Sequence, residues 1–344
     1  MSEIKHRLAG RGGPTEDGIL ERIERMAART RTRNTPVRLG IGDDAAIFKA
    51  TTGREVILTC DWFLEDSHFL RDRHPPDAVG WKCLARAVSD IAAMGGVPRC
   101  ILLSLALPAT HTGLWLDRFL AGLQRAVRQF ACPLAGGDTT RNDKILINIT
   151  VIGEVRAENA IMRSGACPGD LLFATGRLGE AELGLELLRK TRGPVNSRDP
   201  HLKKHLYPHP RVALGRWLAE KHLASAMMDL SDGLSTDLPR LCEASRVGAR
   251  IAASKIPAVL LPERLRGRTR DPLDLALHGG DDYELLFTVT RKNAQAVPRS
   301  FHGVPISEFG EITKKPGLVL IDSAGRISPL PNRGWDPFRG SRQR

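Results

Sequence analysis

The stretch KILINITVIGEV, residues 144 to 155, puts Ile145, Ile147, Ile149 and Val151 at every second position, shortly after LDRFLAGLQRAVRQF, residues 116 to 130, whose apolar residues recur at the helical period. A hydrophobic period that switches from helical to extended over so short a span requires strands and helices to share one core. The switch recurs along the chain. Residues 16 to 29 carry Ile19, Leu20, Ile23 and Met26 at helical spacing, and EVILTCDWFLE (55 to 65) reads as a strand. WKCLARAVSDIAAMGG (81 to 96) reads as a helix with Leu84, Val88 and Ile91 on one face, Lys82, Arg86 and Asp90 on another, and Gly95-Gly96 as its stop. CILLSLALP then reads as a strand. Mixed α/β (α+β) is the class that fits.

Past the Gly/Pro/Asp turn GACPGD (165 to 170) the pattern restarts with the strand DLLFATG and the helix EAELGLELLRK. TRGPVNSRDP (191 to 200) is loop by composition, and AMMDLSDGL leads from an apolar run into a helix bearing Leu230, Leu234, Leu238 and Leu241. Pro239 predicts a kink in that helix, Gly248 its stop, IAASKI a strand, and HGGDDYELLFTVT (278 to 290) a tight turn feeding another strand. A chain of 344 residues, 42% hydrophobic, exceeds the usual size of one domain. The expected organisation is a helix and basic segment over 1–38, an N-terminal domain over 39–155 and a C-terminal domain over 156–344.

No apolar run approaches the roughly 20 residues needed to span a bilayer, the longest being CILLSLALPA, and no secretory signal is read at the start. The expectation is a cytoplasmic protein without a membrane partner. The six cysteines, Cys60, Cys83, Cys100, Cys132, Cys167 and Cys242, show no CxxC pair and are expected as free thiols. The net charge of +12 raises nucleic acid as a partner, yet the arginine-rich segments have few aromatics interleaved to stack on bases, so a solvated surface is the reading and no nucleic acid is expected. Glu16, Asp17, Glu21 and Glu24 argue against an organelle transit peptide. His201, His205 and His209 fall four apart, but Pro208 and Pro210 interrupt the helix a zinc stripe would need.

The chemistry lies in the aspartates. Asp43 and Asp44 follow Gly40-Ile41-Gly42, Asp61 ends LTCD, Asp90 precedes IAAMGG, Asp138 sits in LAGGDTT, Asp229 and Asp232 in MDLSDGL, and Asp281 and Asp282 in HGGDDYE. Nearly all stand beside glycine or at a strand end, where backbone and carboxylates can approach a ligand. Any one of these is an ordinary turn former; their number carries the inference. Converging carboxylates repel unless cations neutralise them, and magnesium with a polyphosphate such as ATP is the natural pairing. No GxxxxGK[ST], complete GxGxxG or kinase HRD and DFG pair is present, so metals and arginines such as Arg163 would hold the nucleotide. His68, seven residues after Asp61, is a further candidate.

Taken in order, LGIGDDAAIF, LTCDWFLEDSHF, VSDIAAMGGVP, LAGGDTTR, RSGACPGD, YPHPR, MMDLSDGLSTDL and HGGDDYELLF resemble the blocks of thiamine-monophosphate kinases, over about residues 39 to 338. That family shares a superfamily with aminoimidazole ribonucleotide synthetase and selenophosphate synthetase. The resemblance implies a two-domain PurM-like fold whose N-terminal sheets pair across a homodimer. It also implies ATP-dependent phosphorylation of thiamine monophosphate to thiamine diphosphate, the last step of that cofactor's biosynthesis, assisted by several Mg2+ ions. By position Asp44, Asp61, Asp90, Asp138, Asp229 and Asp232 match metal-binding acids, with Thr59 and Cys60 at neighbouring metal-contact positions. Gly137, Asp138, Arg163 and Ser231 match nucleotide-binding positions. His68, Asp281 and Trp335 match residues that meet the thiamine phosphate. Asp61, Asp138 and Asp232 are the expected catalytic acids, and Asp43 is held as a supporting neighbour of Asp44.

Three positions depart from the family pattern: Asp281 stands where glutamate is usual, Cys60 where threonine or serine is common, and Pro337 where histidine often precedes the phenylalanine. The competing readings are an aminoimidazole ribonucleotide synthetase, which would have the same fold and ATP site, and a basic RNA-binding protein, which leaves the acid blocks unexplained. Selenophosphate synthetase is disfavoured because no cysteine precedes Cys60.

Overall fold

The structure, a computed structural model, describes residues 16–30, 35–41 and 44–338. Gly42 and Asp43 lie outside the described residues. The first half runs α1 (Glu16–Ala28), β1 (Val37–Leu39), β2 (Ile47–Phe48), β3 (Arg54–Leu64), α2 (Pro76–Ala93), β4 (Val97–Leu107), α3 (Leu114–Gln129), β5 (Leu134–Arg141) and β6 (Leu146–Arg156). β1 and β2 form a small antiparallel pair, and the other strands make a four-stranded sheet in the order β3-β6-β4-β5, in which only β4 and β5 are parallel. β3 pairs with β6 along its whole length, from Arg54↔Arg156 to Leu64↔Leu146.

The two-residue period of these strands sends Ile57, Phe63, Leu103, Leu105, Ile147, Ile149 and Val151 to one face, where they form a core with α2 and α3. Fully burying a side chain of this size contributes roughly 1.5–3 kcal/mol. The helices approach closely because Gly80 and Gly122 face each other's backbone. A Cβ on Gly80 would stand 2.1 Å from the Phe119 carbonyl oxygen, and one on Gly122 1.9 Å from that of Asp77. On the other sheet face Val56, Leu58 and Trp62 are exposed.

The second half runs β7 (Leu171–Thr175), α4 (Glu180–Lys190), α5 (Pro200–Leu206), α6 (Val212–Glu220), β8 (Ala224–Leu230), α7 (Leu234–Ser245), β9 (Gly248–Ala252), α8 (Pro272–His278), β10 (Glu284–Val289), β11 (Ser300–Phe301), β12 (Val304–Thr313), β13 (Gly317–Ile321) and β14 (Ile327–Pro329). Its sheet follows β14-β13-β9-β12-β7-β10-β8, with β11 paired to β12. Apolar residues of β7, β8, β9, β10 and β12 pack on α7 in one layer and on α6 in another.

Several local expectations are corrected. LAGGDTTR is strand β5 rather than a turn, because β4 supplies a parallel partner that its glycines do not advertise. α7 ends at Arg246, in the left-handed conformation, so Gly248 starts β9 rather than stopping the helix. IAASKI is strand only to Ala252 and then a 3-10 turn. α2 begins at Pro76, several residues earlier than the apolar period reveals, since proline suits a helix's first turn. The cysteines among the described residues are all free.

Candidate active site

Two hydrogen-bonded or stacked contacts fix how α2 lies against β3. Thr59, Asp61 and Phe63 share one face of the strand by alternation, and Lys82, Arg86 and Asp90 share one face of the helix by four-residue spacing. The Thr59 hydroxyl donates to Asp90 Oδ2 at 2.5 Å, and the Arg86 guanidinium lies over the Phe63 ring, 5.3 Å from its centre. Asp61 stands on the strand between these two contacts. Cys60 points to the opposite face, where its thiol meets the Asn148 side-chain oxygen at 3.3 Å, so only its backbone can face the acids.

The second unit closes the site from the other side. β8 delivers the buried Asp229, and the turn after it carries Ser231 and Asp232. Asp237, which sequence reasoning passed over, shapes this turn: its Oδ2 accepts from the backbone N–H groups of Ser231, Asp232 and Gly233 at 3.0, 2.9 and 3.1 Å. Arg240 donates to Asp232 Oδ2 at 2.6 Å, and the Trp335 N–H donates to the Asp232 carbonyl at 2.9 Å. Trp335 thereby joins Asp232 in lining a cleft of about 520 Å3 with Thr236, Arg240 and the exposed Phe338.

Asp61, Asp90 and Asp229 act on one another although they come from three elements. Burial first, then Asp229 and Asp61, push Asp90 up to about 7. Burial likewise brings Asp229 to about 7, with Asp237 and Asp61 adding to it and the Ser89 hydroxyl and Arg163 opposing it. Asp61 is raised chiefly by burial, opposed by Arg86 and reinforced by Asp232 and Asp281. A hard divalent cation suits such a donor set, because it neutralises crowded carboxylates and takes oxygen ligands. Among the described residues no three acidic, cysteine or histidine side chains already stand in metal-binding geometry.

Asp44, Gly137 and Asp138 lie elsewhere, in a cleft of about 550 Å3 also lined by Ser104 and Thr150, on the sheet face that carries Cys60. Asp138 is exposed and its Oδ1 accepts from the Thr139 N–H at 2.9 Å. Gly137 has φ +154, and a Cβ there would stand 1.9 Å from the Leu103 carbonyl oxygen, so no other residue brings the backbone this close. Arg163 opens the second unit as an exposed side chain whose charge reaches Asp90 and Asp229.

The remaining sequence candidates meet a buried polar chain. Asp281, in the left-handed conformation, accepts from Lys82 Nζ at 2.8 Å and from the Tyr283 hydroxyl at 2.6 Å. Burial would raise its pKa, but Lys82 and Arg86 override this and hold the carboxyl well below the usual range. Lys82 is fully buried and also meets His205 Nδ1 at 3.2 Å, whose Nε2 lies 2.9 Å from His74 Nε2. His68 Nδ1 accepts from the Leu64 N–H at 3.0 Å, and burial with Arg86 nearby lowers its pKa to about 4, leaving a neutral ring with its proton on Nε2. His201, His205 and His209 do not converge: His205 is buried, whereas His209 lies beyond α5, edge-on to Trp81. Lys82 and Arg86 were legible only as a polar stripe on α2; that the stripe meets Asp281 two hundred residues later was not.

A four-stranded sheet backed by two helices and joined through a buried acid-lined seam to a second mixed sheet defines the class. The family models for "AIR synthase related protein" match here, the N-terminal domain over residues 42–155 and the C-terminal domain over 167–323. The thiamine-monophosphate kinase of Bacillus subtilis (strain 168) is 35% identical over 315 residues, 89% of this chain and 95% of the relative. A solved thiamine-monophosphate kinase from Stenotrophomonas maltophilia K279a is 33% identical with a TM-score of 0.76, covering 86% of this chain and 94% of its own. A structure described as AaThiL complexed with AMPPCP and TMP is 31% identical, with a TM-score of 0.74, over 94% of this chain and 97% of its own. The chain belongs to the thiamine-monophosphate kinase family.

Proposed function

We propose that this protein transfers the γ-phosphoryl group of ATP to thiamine monophosphate, giving thiamine diphosphate and ADP. The observation that carries this is the match to thiamine-monophosphate kinases over almost their whole length, one similar structure holding an ATP analogue together with TMP. The acceptor is a phosphate oxygen already ionised at neutral pH, so no general base is needed. Alignment and charge compensation suffice.

In this reading Asp61, Asp90, Asp229 and Asp232, with Thr59 and the Cys60 backbone, would hold magnesium at the transfer centre, while Asp44 and Asp138 would hold it at the nucleotide end. Magnesium there supplies neutralisation of phosphate charge as it redistributes in the transition state. Gly137 brings backbone against the nucleotide phosphates, with Ser231 and Arg163 meeting them from the second unit. His68 offers its Nε2 proton and Asp281 an ionised carboxylate to the thiamine phosphate, and Trp335 an aromatic face. The reading includes a homodimer formed through the face of β3 that exposes Val56, Leu58 and Trp62, a cytoplasmic location where ATP is supplied, and no nucleic-acid or membrane partner.

The test is incubation with Mg-ATP and thiamine monophosphate, followed by chromatography of thiamine phosphates, with metal-free and Asp61→Asn controls. Thiamine diphosphate formed only in the complete mixture is the expected result. Failure to form it, with ATP binding intact, would point to another acceptor within the superfamily.

A further inference from the structure

Arg86 has two buried guanidinium nitrogens that no other described residue uses. Its Nε and Nη1 are shielded from solvent and have no hydrogen-bond partner among the described residues. Buried N–H donors left without a hydrogen-bond partner are costly, and their persistence calls for a partner that arrives later. Its charge does not lack neighbours: Asp61, Asp281, Asp232 and Tyr283 all act on it. None of them hydrogen-bonds to those two nitrogens.

The position of the fork narrows what the partner is. On α2, Arg86 lies one turn after Lys82, which holds Asp281, and one turn before Asp90, which holds Thr59. On β3 it faces Phe63, whose ring centre is 5.9 Å from that of His68 and which stands two residues from Asp61. The guanidinium therefore sits between the acids of the transfer centre and His68 and Asp281, two of the side chains assigned to the acceptor. Lys82 cannot serve there, because its ammonium is committed to Asp281 and His205. An acceptor dianion entering a seam lined by carboxylates needs a cation, and a planar fork of N–H donors matches a phosphate in two directions at once.

Resting on the kinase reading above, we infer that Arg86 binds the phosphate of the acceptor, donating Nε–H and Nη1–H to its oxygens, and makes the site selective for the phosphate ester over the free alcohol. Free thiamine would leave the buried fork unpaired, and a site built to pair with a polar group rejects the analogue that lacks it.

The experiment is calorimetric titration of the full chain, with magnesium chloride present, by thiamine monophosphate, thiamine and AMPPCP separately, for the wild type, Arg86→Met and Arg86→Lys. A hydrogen-bonded charged contact is worth roughly 10- to 100-fold in affinity, so Arg86→Met is expected to weaken thiamine monophosphate by that factor, leaving thiamine and AMPPCP within about twofold. Arg86→Lys, which keeps the charge and loses the fork, is expected to fall between and decides the matter if the Met variant does not fold. Equal loss for thiamine and its monophosphate, loss confined to AMPPCP, or no loss in the variant that folds would overturn the inference while leaving the kinase reading intact. A wild type that binds AMPPCP but not thiamine monophosphate would overturn both.

Discussion

Two acidic residues of opposite surroundings separate chemistry from stability. Asp138 is exposed, so Asp138→Asn removes little packing and is expected to leave unfolding free energy within about 0.5 kcal/mol of the wild type. Its assignment to the nucleotide end predicts a loss of at least roughly 100-fold in turnover, the scale seen when one charge-stabilising group is removed. Turnover near the wild-type rate would take Asp138 out of the site. Glu284 is the converse case: fully buried, it accepts from Arg211 Nε at 2.6 Å and also pairs with Lys204 and the Thr175 hydroxyl. Burial alone would raise its pKa, but Lys204 and Arg211 prevail and hold it at about 2, below the ordinary 4.5. Folding thus favours the ionised form, so its contribution is complete above pH 4.5 and is lost as pH falls towards 2. Glu284→Gln leaves two cations without their counter-charge and is expected to cost about 3–5 kcal/mol at neutral pH by denaturant titration. The gap from wild type should narrow below pH 4.5, and a gap that widens there would contradict the assigned charge state.

At the scale of elements, what the sequence made legible depended on whether the partner was local. The helical period of α3 and the alternation of β6 rest on neighbours a few residues away, and both were readable. β5 was not, because its extended form depends on β4, whose pairing Ser104↔Asp138 spans a whole helix. The strands β12 and β13 were missed for the same reason: they are strands because β7 and β9 lie beside them, and β14 in turn only pairs with β13. The site divides likewise. Aspartates at glycine turns announced themselves, whereas Lys82, Arg86 and Asp237 acquire their roles only through contacts across the seam or within the turn they shape. The α2–α3 crossing gives a test of element packing. In Gly122→Ala the better helix propensity of alanine, about 1 kcal/mol, opposes a Cβ placed 1.9 Å from the Asp77 carbonyl oxygen. Backbone cannot rotate away as a side chain can, so the helices must separate, and a net loss of about 1–3 kcal/mol is expected in chemical denaturation. A stabilised variant would mean that the helices are not held this closely in solution.

For the whole molecule, two surfaces carry the predictions. The outer face of β3 exposes Leu58 at 69%, Trp62 at 54% and Val56 at 43%, an apolar row on one face of an edge strand. If it pairs two copies, Leu58→Asp places a charge in the interface, and light scattering after gel filtration is expected to show a shift from dimer to monomer. A wild type already monomeric at assay concentration would discard that surface as an interface. The acid-lined seam is the other. Its carboxylates come from β3 and α2 in one unit and from β8 and the following turn in the other, and they raise one another's pKa across the boundary. In the kinase reading, cations bound among them would relieve their repulsion, and the acceptor phosphate would lie in the seam while the nucleotide reaches it from the cleft that holds Gly137 and Asp138. A ligand confined to the native state stabilises it by about 2.7 kcal/mol at 100 times its dissociation constant. Magnesium, AMPPCP and thiamine monophosphate together are therefore expected to raise the midpoint of thermal unfolding more than any pair of them, and to do so in one calorimetric transition, since neither unit can unfold without releasing the ligands. A shift confined to one of two resolved transitions would place the ligands within a single unit and remove the seam as the site.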